Sequence, residues 1–207
     1  MNSPILYSFR RCPYCMRAHM GLKYSSLTIE LREVFLKEMP EELLKISPNE
    51  TVPVLVLSED NTMDESWDIL KWALHKNDPD NWLGDDEQYL ADAEMLVETN
   101  DFSFKTDLDH YKYADRNPEH SKEHYRAECE EFIEELEEML SEHVFLLTDK
   151  LTVADIAIFP FIRQFSLVDK TWFDQSRYTN VKRWLDILIN SELFRNAFLK
   201  HDAWQSG

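Results

Sequence analysis

The chain has 207 residues, 43% of them apolar and 13% aromatic, enough to build the core of one large domain or two small ones. A formal charge of −18 argues against nucleic acid and anionic membranes as partners, because both need a basic face, and three glycines leave no glycine-rich loop for a nucleotide phosphate. There is no basic-plus-apolar leader and no uncharged apolar run approaching roughly 18 residues, and three cysteines do not make a secreted disulfide framework, so a soluble cytoplasmic protein is expected.

In chain order, Ile5 to Phe9 reads as a short apolar strand, followed by Cys12-Pro13-Tyr14-Cys15 and a helical run to Tyr24. Pro13 suits the first turn of that helix, where its missing N–H costs nothing. Leu27 to Phe35 alternates apolar and charged residues, the period of a half-buried strand. A short helix is expected over Pro40 to Ile46, then a buried strand over Val52 to Leu57, with Pro53 near its start marking a turn or bulge. A hairpin turn at Glu59 to Asn61 leads to a brief strand at Thr62-Met63, and Glu65 to His75 has helical spacing. Strand, helix, strand, helix, strand, strand, helix makes an α/β thioredoxin-like unit over residues 1–76.

The polar, turn-rich stretch 77–85 is the expected linker. Residues 86–207 have a helical period throughout and form an all-α domain: one helix from Asp86 to about His110, a second from Glu119 to Glu142, a third from Thr152 to about Leu167, and shorter ones over 179–189 and 192–199. The second is apolar along Phe132, Ile133, Leu136, Met139 and Leu140, with glutamates on the other face. The third opens on a capping box, Thr152-Val153-Ala154-Asp155, and is apolar on every side, which puts it in the middle of a bundle with a kink at Pro160. Acidity is concentrated here, with 13 Lys/Arg against 27 Asp/Glu beyond residue 80, as a solvated surface.

The chemistry sits at Cys12 and Cys15. Two cysteines separated by two residues can close and reopen a disulfide within one helical turn, and at a strand-to-helix junction the first thiol meets free backbone N–H groups and the positive end of the helix dipole. Both favour the thiolate and can lower a cysteine pKa from roughly 8.5 toward 3.5–7.5. Arg10 and Arg11 add positive charge just before it. A zinc site would need a second ligand pair, and none appears at finger-like spacing. Cys129, in the glutamate-rich helix, reads as structural. His120-Ser121-Lys122-Glu123-His124 matches a zinc-protease pattern, but it starts a polar helix with no third ligand, so no metal site is expected.

These features together resemble the glutathione S-transferase superfamily over essentially the whole chain, nearest to the two-domain glutaredoxins and the cysteine-dependent omega-like transferases. The resemblance rests on Cys12-Pro13-Tyr14-Cys15, on Thr51-Val52-Pro53 as the cis-proline segment, on Glu65-Ser66 opening a helix, and on the Thr152–Asp155 box. It implies the glutathione S-transferase fold, with glutathione as co-substrate and no metal. Cys12 and Cys15 are then catalytic, with Tyr14, Lys37, Val52, Pro53, Glu65 and Ser66 in the glutathione site. The outward-turned backbone of Val52 would pair with the cysteinyl part of glutathione as an added strand does. Ser66 and Glu65, at a helix start, suit the γ-glutamyl end. Lys37 would meet the glycyl carboxylate, although relatives place their lysine two residues later, where this chain has Met39.

The expected activity is glutathione-dependent thiol–disulfide exchange on small-molecule or protein disulfides, with dehydroascorbate reduction by the same chemistry. The alternatives are conjugation of glutathione to an electrophile, assisted by Tyr7 or Cys12, and a non-enzymatic glutathione-binding regulatory or stress protein presenting the acidic helix. The second substrate would be selected by residues of 101–116 such as Phe102, Phe104, Tyr111 and Tyr113. Relatives in this superfamily are monomers or homodimers.

Overall fold

The computed structural model describes residues 3–47 and 49–205. The chain divides into two compact units: the described residues up to Asp80 together with those from Ser191 onward, and residues 81–190. The last helix and the tail therefore belong to the first unit, whereas their helical period alone had placed them in the all-α domain 86–207. Periodicity identifies the buried face of a helix and says nothing about which core buries it.

The first unit is built on a four-stranded sheet in the order β2-β1-β3-β4. β1 (Ile5–Ser8) pairs in parallel with β2 (Glu30–Glu33) and antiparallel with β3 (Val54–Ser58), which pairs antiparallel with β4 (Asn61–Met63). Both central strands bury their apolar residues, as Leu6 and Leu55 show. Around the sheet lie α1 (Pro13–Tyr24), α2 (Glu41–Ile46) and α3 (Ser66–Lys76). This topology brings four segments to one end of the sheet. The turns after β1 and β2 and the exit from β4 leave there because those three strands run the same way, and the approach to β3 meets them because β3 alone is reversed.

α1 and α3 approach closely because Gly21 has no side chain: a Cβ there would collide with Leu70. Gly21 lies one turn beyond Arg17 and Leu70 one turn beyond Ser66, so this contact sets how near those two residues come. Gly21→Val is expected to cost about 2 kcal/mol by overpacking. A urea titration checks this, and an unchanged midpoint would show that α1 and α3 part without strain.

On its other side α1 packs against α10 (Glu192–Ala197). His19 lies in this seam, 5% exposed, with Nε2 buried and without a hydrogen-bond partner. Burial, helped by the positive charges of Lys23 and His201, pushes its pKa down to about 4 against an opposing hydrogen bond with the backbone of Ala197. The unfolded chain therefore binds a proton here at pH values where the folded one does not. Stability present above about pH 6.5 should fall by about 3 kcal/mol as pH drops toward 4. Denaturation of wild type and His19→Gln at pH 7 and pH 4.5 should show the variant losing much less on acidification.

The second unit is helical: α4 (Glu87–Glu98), α5 (Lys105–Lys112), α6 (Lys122–Glu142), α7 (Val153–Ser166), α8 (Lys170–Gln175) and α9 (Thr179–Ile189). α7 is buried along nearly its whole length with Pro160 inside it, as its all-round apolar sequence predicts. The single helix expected over 86–110 is instead two α-helices joined by a π-helical turn, Thr99–Phe104. The extra residue of a π turn shifts the helical phase by about 100°. Phe104 and Tyr111 are accordingly in the core, both packed on Phe165, while Phe102 is largely exposed. Of the four residues expected to contact a second substrate, only Phe102 and the partly exposed Tyr113 lie outside that core. Among the described residues, no helix is long and apolar enough to cross a membrane, and no group of three or more His, Cys, Asp or Glu is arranged to hold a metal ion.

Candidate active site

β1 ends in a tight turn in which the Cys12 amide donates to the Phe9 carbonyl at 2.9 Å, and Cys12 is the N-cap of α1. Pro13 follows as the first helical residue, the first turn holds no acidic residue, and the Cys12 side chain makes no cap hydrogen bond. The amides of that turn thus face the same side as the Cys12 thiol. Cys12 is partly exposed, and its Sγ donates to the Val52 carbonyl at 3.7 Å. The Val52–Pro53 peptide is cis, as the sequence motif implies.

Cys15 is placed differently. It is 1% exposed in the cluster with Tyr7, Val34, Leu43 and Val52, and its Sγ accepts the Phe9 amide at 3.3 Å. Burial pushes its pKa well above the ordinary thiol value, reinforced by hydrogen bonding to Cys12 and by the charge of Cys12, with the Phe9 amide acting in the opposite direction. One turn of helix therefore carries an accessible thiol and a buried one that holds its proton. Cys129 is buried in α6, where burial and then the charge of Asp107 raise its pKa, as befits a structural thiol.

A second centre forms where α3 begins. Ser66 is buried at the first helical position, and the N-cap, Glu65, is exposed and makes no side-chain cap. Arg17, fully buried on α1, donates from Nη1 to Ser66 Oγ at 3.2 Å, and its guanidinium lies 5.6 Å from the Tyr14 ring centre. A buried cation, a hydroxyl and the start of an eleven-residue helix favour an anion from the same direction. Sequence reasoning passed over Arg17, since an arginine within a helical run reads as solvated. α1 is instead buried nearly all round, from Cys15 to Leu22, which leaves its arginine no solvated face.

Lys37 stands exposed at the tip of the turn Phe35–Glu38 that follows β2, at the same end of the sheet as Cys12. Tyr7 points elsewhere. It is buried, and its hydroxyl accepts from Arg32 Nη1 at 2.6 Å. Arg10, expected to add charge beside Cys12, has its guanidinium 4.5 Å from the Phe198 ring centre and donates to the Phe198 carbonyl at 3.3 Å.

Residues 6–82 match the glutathione S-transferase N-terminal domain, and residues 119–186 match the C-terminal domain of the same enzymes. Among solved structures, the chain is similar to a glutathione transferase family member from Pseudomonas fluorescens with two glutathione bound, at 19% identity and a TM-score of 0.82, covering 95% of this chain and 92% of that one. It is likewise similar to glutathione transferase Omega 3C from Trametes versicolor, at 16% identity and a TM-score of 0.80 over 98% and 92% of the two chains. The glutathione S-transferase unclassified 2 from Bombyx mori, at 19% identity and a TM-score of 0.80, is covered to 94% by 95% of this chain. At such identities the likeness is one of fold. Both halves of the sequence match their counterparts in order, and the sheet topology and helical second unit agree with them: the chain belongs to the glutathione S-transferase superfamily.

Proposed function

We propose that the protein is a glutathione-dependent thiol–disulfide oxidoreductase of the cysteine type, acting in the cytoplasm with glutathione as its co-substrate. The observation that carries this reading is the asymmetry of the two thiols: Cys12 accessible at a helix start, Cys15 buried one turn on. Glutathione lies with its cysteinyl part along the Val52-Pro53 backbone and its γ-glutamyl carboxylate at Ser66. Arg17 supplies the balancing charge from below, and Tyr14 and Glu65 flank the site. Lys37 approaches the glycyl end. The glutathione-bound Pseudomonas relative supports this co-substrate.

In the reaction the Cys12 thiolate attacks the glutathione sulfur of a mixed disulfide. A Cys12–glutathione disulfide forms, the original S–S bond breaks, and the released thiolate takes a proton from solvent. A second glutathione thiolate then attacks the sulfur of the bound glutathione, giving glutathione disulfide and returning Cys12 as thiolate. Burial of Cys15, and the proton it keeps, favour this route over closure of a Cys12–Cys15 disulfide. Conjugation by a tyrosine is disfavoured because the Tyr7 hydroxyl is engaged by Arg32.

The test is reduction of a small glutathione mixed disulfide coupled to glutathione reductase. Wild type, Cys15→Ser and Tyr7→Phe should all turn over. Loss of activity in Cys15→Ser would move the mechanism to a dithiol cycle. Absence of turnover in wild type, with glutathione bound, would refute the oxidoreductase reading in favour of conjugation or a binding role.

A further inference from the structure

We propose that the C-terminal segment from Phe198 to Trp204 is a strap that positions the Cys12 turn, with Arg10, Glu33 and Trp204 as its positioning residues. The inference rests on Cys12 being the reacting thiol. Three contacts close a circuit within the first unit, and a fourth holds its end. The Arg10 amide, inside the turn, donates to Glu33 Oε1 at 2.8 Å. The carbonyl of the same Glu33 accepts the Trp204 amide at 2.8 Å. The Arg10 guanidinium returns to the segment at Phe198, over its ring and onto its carbonyl. The fourth contact fixes Trp204 itself: its ring lies 4.3 Å from the Arg32 guanidinium and edge-on to Tyr7 at 6.0 Å.

Glu33 is the joint of this circuit. It is buried at the end of β2, on the outermost strand of the sheet, and uses its side chain toward the cysteine turn and its main chain toward the tail. Such a carboxylate is costly to bury unless its partners are held in place, and here one partner is the turn that carries Cys12. His201, between the two ends of the strap, adds a favourable charge interaction with Glu33. The stacked rings of Phe194 and Phe198, 5.1 Å apart, anchor the start of the strap to α10. The segment follows directly from α10, and its contacts reach the turn at Arg10, two residues before Cys12, and the neighbouring strands at Tyr7, Arg32 and Glu33, not the Ser66 centre. It therefore affects where the thiol sits, leaving the γ-glutamyl end of the site alone.

The test uses full-length Arg10→Ala, Trp204→Ala and Trp204→Phe, with alkylation of Cys12 by iodoacetamide followed across pH by mass spectrometry alongside the exchange assay. Loosening the turn should move the Cys12 alkylation midpoint to higher pH in Arg10→Ala and Trp204→Ala and lower kcat about tenfold at unchanged KM for glutathione, as expected for a slightly misplaced nucleophile. Trp204→Phe, which keeps a ring for Arg32 and Tyr7, should restore both. Wild-type midpoints and kcat in folded Arg10→Ala and Trp204→Ala would overturn the proposal. Hydrogen exchange on the wild type is independent of variant folding: the amides of Arg10 and Trp204 should open together, and a tail that exchanges freely while Arg10 stays protected would also overturn it. Alkylation and hydrogen exchange need no turnover, so a wild type inactive in exchange refutes the oxidoreductase reading without deciding the strap, and these two measurements still decide it.

Discussion

Cys12→Ser is expected to abolish exchange, lowering kcat/KM for a glutathione mixed disulfide by roughly 10³-fold or more, a barrier increase of at least about 4 kcal/mol. A hydroxyl at that position keeps the place at the helix start and the same Val52 carbonyl, but it does not ionise near neutral pH, and the mechanism needs an anionic nucleophile. Glutathione binding should survive, because Val52, Ser66 and Arg17 are untouched. Calorimetric titration would then show glutathione affinity within a few-fold of wild type beside a dead exchange assay. Substantial exchange in Cys12→Ser would remove the basis for assigning Cys12 the nucleophilic role. Cys15 offers no substitute, since it is buried and holds its proton.

The largest stability effect should come from Asp155, far in sequence from the thiols. Its carboxylate is fully buried and accepts four hydrogen bonds: the Leu146 amide at 2.9 Å and Trp184 Nε1 at 2.8 Å on Oδ1, and the Thr152 amide at 3.0 Å and hydroxyl at 2.7 Å on Oδ2. Burial raises its pKa above the ordinary carboxylate value although these donors pull it down. Asp155→Ala removes the capping box of α7 and leaves the Trp184 and Leu146 N–H groups buried without an acceptor. At about 1 kcal/mol for the cap and 1–3 for each stranded donor, the loss should be about 4 kcal/mol. Denaturant unfolding followed by tryptophan fluorescence would report it, because Trp184 is fully buried in the affected unit. Asp155→Asn, which keeps an acceptor oxygen, should lose less. A loss below about 1 kcal/mol in Asp155→Ala would show that water or rearrangement satisfies the stranded donors.

What the sequence determined by itself is what local rules decide. A cysteine at the junction of a strand period and a helix period, followed by proline, is a helix start whatever it packs against. Thr152 and Asp155 three residues apart before an apolar run are a capping box for the same reason. The α/β unit followed by a helical region is likewise legible, because the change from a two-residue to a 3.6-residue period is written in adjacent residues. Long-range meetings were not legible. Arg17 and Ser66 are 49 positions apart, and they meet only because β1 and β3 are neighbours and Gly21 lets α1 and α3 close. Tyr7 reads as a candidate catalyst until Arg32, on the adjacent strand, engages its hydroxyl. The π turn at 99–104 changed which aromatic side chains enter the core without leaving a mark on composition. The return of the tail to Glu33 depends on an open edge of the sheet, which is a property of strand order. A residue's spacing from its neighbours sets the face it presents, and only the assembled sheet and helices decide what that face meets.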